Sequence, residues 1–353
     1  LSDEINKFDF KATINYANLS ALNLFKRDSI SELKGLIDLD LTGNKFENIV
    51  GIANFKNIIY TNERGVYPFK QFLIFSKIKE NIRQIRVDSE DIIKGELIGN
   101  FKFEEMLSLA QNALGSMYSN YTPFKVSLDQ FLSFDFVIYN QIVDVFFPEI
   151  SIAANTKIKG TIKANKNQLK LKVNSPKITA YGTTIDSLFL DTDNKRNFYD
   201  SSLRAASIKT PHYTLSKLLL FNKAVNDTLF FKSNFKGGDS EKEKFNLDFY
   251  YTINKDKKSV LGIEKSTFNY MDNIWNLNPE NNPNNKLTFD LKSNEYVFSP
   301  FTLKSKAQEI NFKGILRDSI YKEIDVDFTN VYLKSFLPEI DSLKLRGQLD
   351  GVI

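Results

Sequence analysis

The chain contains no cysteine, so neither a disulfide framework nor a thiolate metal site is available to it. That fits a reducing compartment, or a bacterial envelope protein that folds without cross-links. Histidine occurs once, as His212 in the strand-like stretch TPHYT, so no multi-histidine metal site and no histidine-dependent triad can be assembled. A surface or edge position is expected for it. No apolar run approaches the ~18 residues of a membrane span; the longest are FLIF at 72–75 and LLLF at 218–221. The start, LSDEINKFDF, lacks the features of a signal peptide, so any export signal or anchor is expected to lie outside this chain, which reads as an internal fragment. Gly-rich phosphate loops and G-x-S-x-G elbows are absent. The net charge of +4 comes from dispersed lysines, a balance that does not argue for nucleic acid, and none is expected as a partner.

Two stretches imitate calcium loops. DLDLTG (Asp38–Gly43) has acids at positions one and three and glycine at six, but Ile49 stands where the bidentate Glu belongs, and the leucines alternate as in a strand. In DTDN (Asp191–Asn194) Arg196 takes the glycine position. Carboxylate pairs such as Asp88 with Glu90, or Glu104 with Glu105, are what any solvated surface provides. An enzyme reading therefore has no positive support, and no catalytic residue, metal or cofactor is expected.

What is abundant is phenylalanine, 31 residues, with 15 tyrosines. Aromatics suit pleated, half-buried surfaces and tilt the prior toward β-structure. Period-2 alternation follows throughout the chain. FNLDFYYTI puts Phe245, Leu247, Phe249, Tyr251 and Ile253 on one face with Asn246, Asp248 and Tyr250 on the other. LIDLDLTG does the same with Leu36 or Ile37, Leu39 and Leu41 against Asp38 and Asp40. Further strands carry Leu169, Leu171 and Val173; Leu287, Phe289 and Leu291; and Ile324, Val326 and Phe328. Polar turns such as TGNKFEN, NKDKKS and NPENNPNN separate them, which makes antiparallel neighbours the simplest topology. Roughly twenty strands fit. One stretch reads as an amphipathic helix, FKFEEMLSLAQNALGSMY near 103–118, with Phe103, Met106, Leu107, Ala110, Leu114, Met117 and Tyr118 on its apolar side and Glu104, Glu105, Gln111 and Asn112 opposite. It is expected to be a lid or plug on the end of a sheet.

A phrase recurs. FFPEI (Phe146–Ile150) leads to Gly160, and FLPEI (Phe336–Ile340) leads to Gly347. Widened to three copies, an alternating strand opens each (Lys7–Leu19, Ser133–Asn140, Ile324–Leu333), a short apolar link follows, and a strand bearing Gly35, Gly160 or Gly347 closes it. Glycine inside a strand marks a bulge or tight bend, so these positions are expected to be corners. A long sheet with one apolar face must close on itself, pack as a sandwich, or curl into a trough, and alternation alone does not separate the three.

The strand–link–PEI–strand–Gly pattern resembles the TamB family of bacterial envelope proteins, within the AsmA-like group of repeating β-groove, bridge-like lipid transfer proteins. Matching phrases include FENIVGIANFKNIIYTNERGVYPFKQFLIFS (46–76), IRQIRVDSEDIIKGELIGNF (82–101), SVLGIEKSTFNYMDNIWNLNP (259–279) and KAQEINFKGIL (306–316), in the Asn- and Lys-rich phrasing of Bacteroidota versions. The resemblance implies an all-β fold: an elongated, curled antiparallel sheet forming an open apolar groove, one continuous array over 1–353 with repeat-like segments 1–130, 131–322 and an incomplete 323–353. It implies phospholipid transport through the periplasm between inner and outer membranes, supporting outer-membrane biogenesis. Phospholipids would occupy the groove, an inner-membrane anchor and a BamA/TamA-type outer-membrane barrel being reached through regions outside this chain. The groove lining is then expected at Leu39, Leu41, Leu169, Leu171, Val173, Phe245, Leu247, Phe249, Tyr251, Leu287, Phe289, Leu291, Val326 and Phe328. Other readings are a scaffold for outer-membrane barrel assembly through the open sheet edge, and a closed β-sandwich binding module.

Overall fold

The structure is a computed structural model that describes residues 5–25, 27–115, 122–139, 143, 147, 149–196, 200–238, 241–290, 292–318, 320–335 and 346–353. It is all-β, with twenty-three strands and one short α-helix among the described residues, and every described pairing is antiparallel. The chain divides into two compact units. The first holds Leu1–Leu114, Pro123–Gly182 and Asp186–Asp193; the second holds Asn194–Ile353 with the short stretches 115–122 and 183–185.

In the first unit the strands are β1 (Lys7–Asn18), β2 (Ser31–Thr42), β3 (Val50–Asn62), β4 (Gly65–Lys79), β5 (Ile82–Asp88), β6 (Ile93–Asn100), β7 (Phe131–Ile138), β8 (Ile150–Ile152), β9 (Thr156–Lys163) and β10 (Gln168–Ala180). β1 to β7 pair in chain order. β9 then lies beside β7, and β10 pairs β9 at its start and β8 at its end. The helix α1 (Met106–Gly115) is inserted between β6 and β7. β11 (Thr183–Asp193) is shared between the units.

The second unit comprises β12 (Ser201–Lys209), β13 (Thr214–Val225), β14 (Thr228–Gly237), β15 (Glu243–Ile253), β16 (Ser259–Ile263), β17 (Ser266–Tyr270), β18 (Asn273–Leu277), β19 (Lys286–Asp290), β20 (Glu295–Ser305), β21 (Gln308–Arg317), β22 (Tyr321–Tyr332) and β23 (Gln348–Val352). Here β15 faces two short strands, β16 at one end and β17 at the other. β19 continues from β16 and β18 from β17, and both reach β20. Several hairpins close with two residues at positive φ: Glu80–Asn81, Asn226–Asp227 and Met271–Asp272. That is the primed turn whose twist matches the strands it joins.

The three repeats seen in the sequence are structurally equivalent at their ends. The opening strand of each pairs directly with the strand that closes it: β1 with β2 and β7 with β9, which bear Gly35 and Gly160, and β22 with β23, which begins just after Gly347. The link at 336–340 lies outside the described residues, as do Phe146 and Pro148 of the other copy.

The glycines do not all play the corner role expected of them. Gly35, at φ +146°, stands opposite a bulge where β3 places Asn57 and Ile58 against one position of β2. Gly160 lies in an unbroken ladder between β7 and β10, and its missing side chain makes room for the ring of Phe134. Gly347, at φ +154°, immediately precedes β23. The bend at Gly35 extends across the sheet. Lys56 and Asn57 on β3, and Lys70 and Gln71 on β4, are consecutive exposed residues, so the inward set shifts from Phe55 to Ile58 on one strand and from Phe72 to Phe69 on the next. Both strands slip phase at one level, and apolar residues stay inward on either side of it.

Replacement of Gly35 by alanine forces an L-residue into that φ and drives its Cβ into Ile58 Cδ1, 3.0 Å from the Ile58 Cα. A loss of about 1–3 kcal/mol is expected from urea unfolding. The control is Gly65→Ala, where a new Cβ has nothing within 4 Å and φ is unstrained; its unfolding midpoint should hold or rise slightly.

Candidate functional site

Directly opposed residues in a ladder point to the same face of a sheet, so the pair registers can be followed from strand to strand. In the first unit one such row runs Phe10, Leu39, Ala53, Ile74, Val87, Gly95, Phe136, Ile158, Val173 across nine strands without a polar residue. The parallel row runs Phe8, Leu41, Gly51, Ser76, Ile85, Leu97, Phe134, Gly160, Leu171. The opposite face carries Lys11 with Asp38 at 3.4 Å, Lys94 with Asp88 at 3.2 Å, and Lys159 with Asp135 at 2.8 Å. These are exposed pairs that add little stability but keep that face wet.

The second unit repeats the arrangement. Ala224, Leu229, Tyr251, Leu261, Leu287, Phe298, Gly314 and Ile324 form one row across eight strands. Beside it Phe231 stacks on Phe249 at 4.8 Å, and Phe235, Phe245 and Phe268 form a three-ring stack at 4.7 and 5.7 Å. Further along, Phe301 stacks on Phe312 at 4.9 Å and Phe312 opposes Val326, while Ile310 opposes Phe328. Lys232 meets Asp248 at 3.6 Å on the other side of β14 and β15. Tyr250 also lies on that outer side, with its ring over Gly262 and beside Phe230.

The predicted lining residues therefore collect on one face in each unit: Leu39, Leu41, Leu171 and Val173 in the first, and Phe245, Leu247, Phe249, Tyr251, Leu287, Phe289, Val326 and Phe328 in the second. All twelve are half-buried. None of the twelve is fully buried, although Val326 and Phe328 pack against a buried cluster of Trp275, Ile310 and Val331. Leu291 lies outside the described residues. Leu169 differs: at 5% exposed it sits with Leu97, Leu132 and Ile162 in a sealed cluster beneath helix α1 and is core there. Alternation in a single strand does not report what packs above it, so Leu169 and Leu171 look alike in the sequence.

Helix α1 plugs this corner of the first unit with part of the expected stripe, Phe103, Met106 and Ala110, joined by Leu109 and Ala113 in place of Leu107 and Leu114. Leu109 and Ala113 are buried, with Met106 and Ala110 packed beside them, while Leu107 and Leu114 face outward at 71% and 48% exposure. Glu105, expected on the wet side, is a docking residue instead. It accepts from the Ser127 amide at 2.6 Å, the Ser127 hydroxyl at 2.9 Å and the Gln130 amide group at 2.5 Å. The Ser127 amide is the largest influence holding its carboxyl at about 2, below the ordinary 4.5, against an opposing effect of burial. Asn112 locks the following segment by accepting from the Phe124 amide at 2.8 Å and donating to its carbonyl at 2.9 Å.

The polar motifs resolve simply. Asp38 and Asp40 belong to the regular strand β2. Asp191 and Asp193 face Lys172 at 3.9 Å and Lys170 at 3.0 Å. His212 is exposed in the turn between β12 and β13. No group of three or more metal-ligating side chains occurs among the described residues. One charge does interrupt the first unit's apolar face: Arg83, between Ile78 and Gly99 in its row. Its guanidinium donates to the carbonyls of Glu47 and Ile49 and lies over the Phe103 ring at 5.4 Å. Burial lowers its pKa.

Comparison with family models, with curated proteins and with solved structures finds no match.

Because Glu105 has a lower pKa in the docked state than in an unfolded chain, its contribution is complete above about 4.5 and disappears as the pH falls toward about 2. The hydrogen-exchange protection factors of the 106–115 amides, corrected for the intrinsic rate at each pH, should therefore fall over that window. Glu105→Gln should flatten the dependence and cost about 1–3 kcal/mol in urea unfolding at neutral pH.

Proposed function

We propose that the chain is a lipid-carrying segment of a periplasmic, bridge-like phospholipid transfer protein of the TamB type, working between inner and outer membranes in outer-membrane biogenesis. The observation that carries this reading is the continuity of the half-buried apolar rows. A pocket for one soluble ligand needs a few converging polar groups; these rows instead repeat the same carbon surface strand after strand. An acyl chain of about sixteen carbons costs on the order of 13 kcal/mol to expose to water, at ~0.8 kcal/mol per methylene. A surface that offers equivalent apolar contact at every strand spacing of about 4.8 Å lowers that barrier with no chemical step and no deep binding minimum. Tails then lie along Phe, Leu and Ile, and headgroups remain in water.

This reading assigns no catalytic role to any residue. It leaves the partners, an inner-membrane anchor and an outer-membrane barrel of the BamA/TamA type, to regions beyond this chain. The half-buried state of twelve lining residues favours it over a closed sandwich module, whose inward residues would be sealed.

The test is site-specific photocrosslinking in the native envelope, with the probe at Phe249 and separately at Asp248, its neighbour on the opposite face. Phospholipid adducts at Phe249 and none at Asp248 are expected. Protein adducts alone, or none at either position, would show that this face is covered by polypeptide and would hand the lead to a scaffold or binding-module role.

A further inference from the structure

The loop between β1 and β2 folds over one end of the first unit's apolar face, and beneath it lies a cavity of about 320 Å³. Its roof is Leu19 and Phe25. Its floor and sides are Leu33, Phe55, Ile58, Phe69, Phe72 and Ile74, with Tyr60 and Ile92 also contributing. Apart from the Tyr60 hydroxyl, every side chain that lines it is hydrocarbon.

That hydroxyl is engaged elsewhere. It donates to Asp28 Oδ2 at 3.2 Å and meets Ser31 Oγ at 3.2 Å. Asp28, 4% exposed, is gripped by Arg27 Nε and Nη2, both at 2.7 Å, and by Asn62 at 3.3 Å. The network fixes the return of the loop to β2, and with it the roof. Backbone bonds from Leu24 and Phe25 to the Leu19 carbonyl hold the roof's own fold. The rings are braced as well: Phe25 is edge-on to Tyr60 at 6.1 Å, and Phe55 lies 6.2 Å from Phe72.

A hollow of this size, open at its mouth and walled by large apolar residues on a fixed frame, presents hydrocarbon to water, at a cost that grows with the apolar area exposed. At ~30 Å³ for a water-sized group its volume is that of about ten methylenes. Water finds no free partner on these walls. A protein ligand would fit only one or two side chains into the space. The cavity is also continuous with the face described above, since Ile74 belongs to the row through Leu39 and Ala53, and Phe72 opposes Phe55 and, through it, Ile37.

We propose that this cavity is a tail-end site for one saturated acyl chain, which enters methyl end first along Phe72 and Ile74 and stops against the Tyr60 ring. The inner end is hydrocarbon apart from the Tyr60 hydroxyl, which is already engaged, so a carboxylate or phosphate stays at the mouth, and that fixes the orientation. The site rests on the reading of the apolar face as a lipid surface, but makes a separate claim: it retains a chain and measures its length, where the open rows let chains slide.

The probe is a series of saturated fatty acids from octanoic to hexadecanoic acid, titrated into the intact purified chain by displacement of a fluorescent polyene fatty acid. One equivalent should bind, with affinity rising to a chain of about the cavity's length and then levelling off. Ile74→Trp, which fills the mouth, should weaken dodecanoic acid by about tenfold or more, the worth of a few buried methylenes. Leu33→Ala, which enlarges the site and does not depend on accommodating added bulk, should move the levelling-off point to longer acids. Unchanged dodecanoic acid binding in a folded Ile74→Trp protein, or an unmoved length profile in Leu33→Ala, overturns the proposal. Phospholipid adducts at Phe249 combined with no fatty-acid binding would remove the tail-end site and leave the trough. Site-specific fatty-acid binding without adducts at Phe249 would keep the site and remove the conduit.

Discussion

The structure depends on strand register. Side chains alternate across a strand with a period of two, so a slip of one residue would turn an entire strand's apolar set to the wet side. Here the register is kept through nine successive strands in the first unit, from Phe10 to Val173, and through eight in the second, from Ala224 to Ile324. Where the sheet has to bend, the phase changes on neighbouring strands together, at Lys56–Asn57 and Lys70–Gln71, so the apolar surface crosses the bend intact.

Small residues make that continuity possible. Gly160 lies under the Phe134 ring, and Gly95 opposes Phe136, whose ring reaches over it. A large side chain at either position would collide with an aromatic neighbour. The rows therefore alternate bulk and space, packing rings against bare backbone instead of against one another. In the second unit the solution differs: rings stack in parallel across strands, as in the Phe235, Phe245 and Phe268 series. The polar network at Asp28 and the plug at Glu105 belong to the same logic. Each fixes a short non-strand segment over the apolar face with charge-assisted hydrogen bonds, and each depends on a carboxylate held ionised well below its ordinary pKa.

Much of this was legible beforehand. Alternation around Phe245–Tyr251, Leu287–Phe289 and Leu169–Val173 is a direct consequence of β geometry, and the described residues it assigned to one face do share it. The three-copy phrase also had a structural meaning, since each opening strand pairs with the strand that closes its own copy. Other parts were hidden. Phe69 and Phe72 both point inward although three positions separate them, because the phase slips between them. Helix α1 spans only ten residues and carries leucines all around, so its pattern allowed two stripes: of the residues expected inward, Phe103, Met106 and Ala110 pack on the core, Leu107 and Leu114 face out, and Met117 and Tyr118 lie outside the described residues.

The sequence by itself determined the all-β class, the antiparallel connections, the presence of one amphipathic helix and the division of most strands into an apolar and a charged face. Those are local properties, set by side-chain period and turn chemistry within a few residues. Only the tertiary structure decided which apolar residues are sealed and which remain open: Leu169 is covered by a helix from a distant part of the chain, while Leu171, two residues on in the same strand, stays half-buried. It also decided that the loop from Leu19 to Asp28 roofs a cavity, because that requires Phe25, Tyr60 and Ile92 to meet from three segments, and burial is fixed by what packs above a residue and not by its neighbours in sequence.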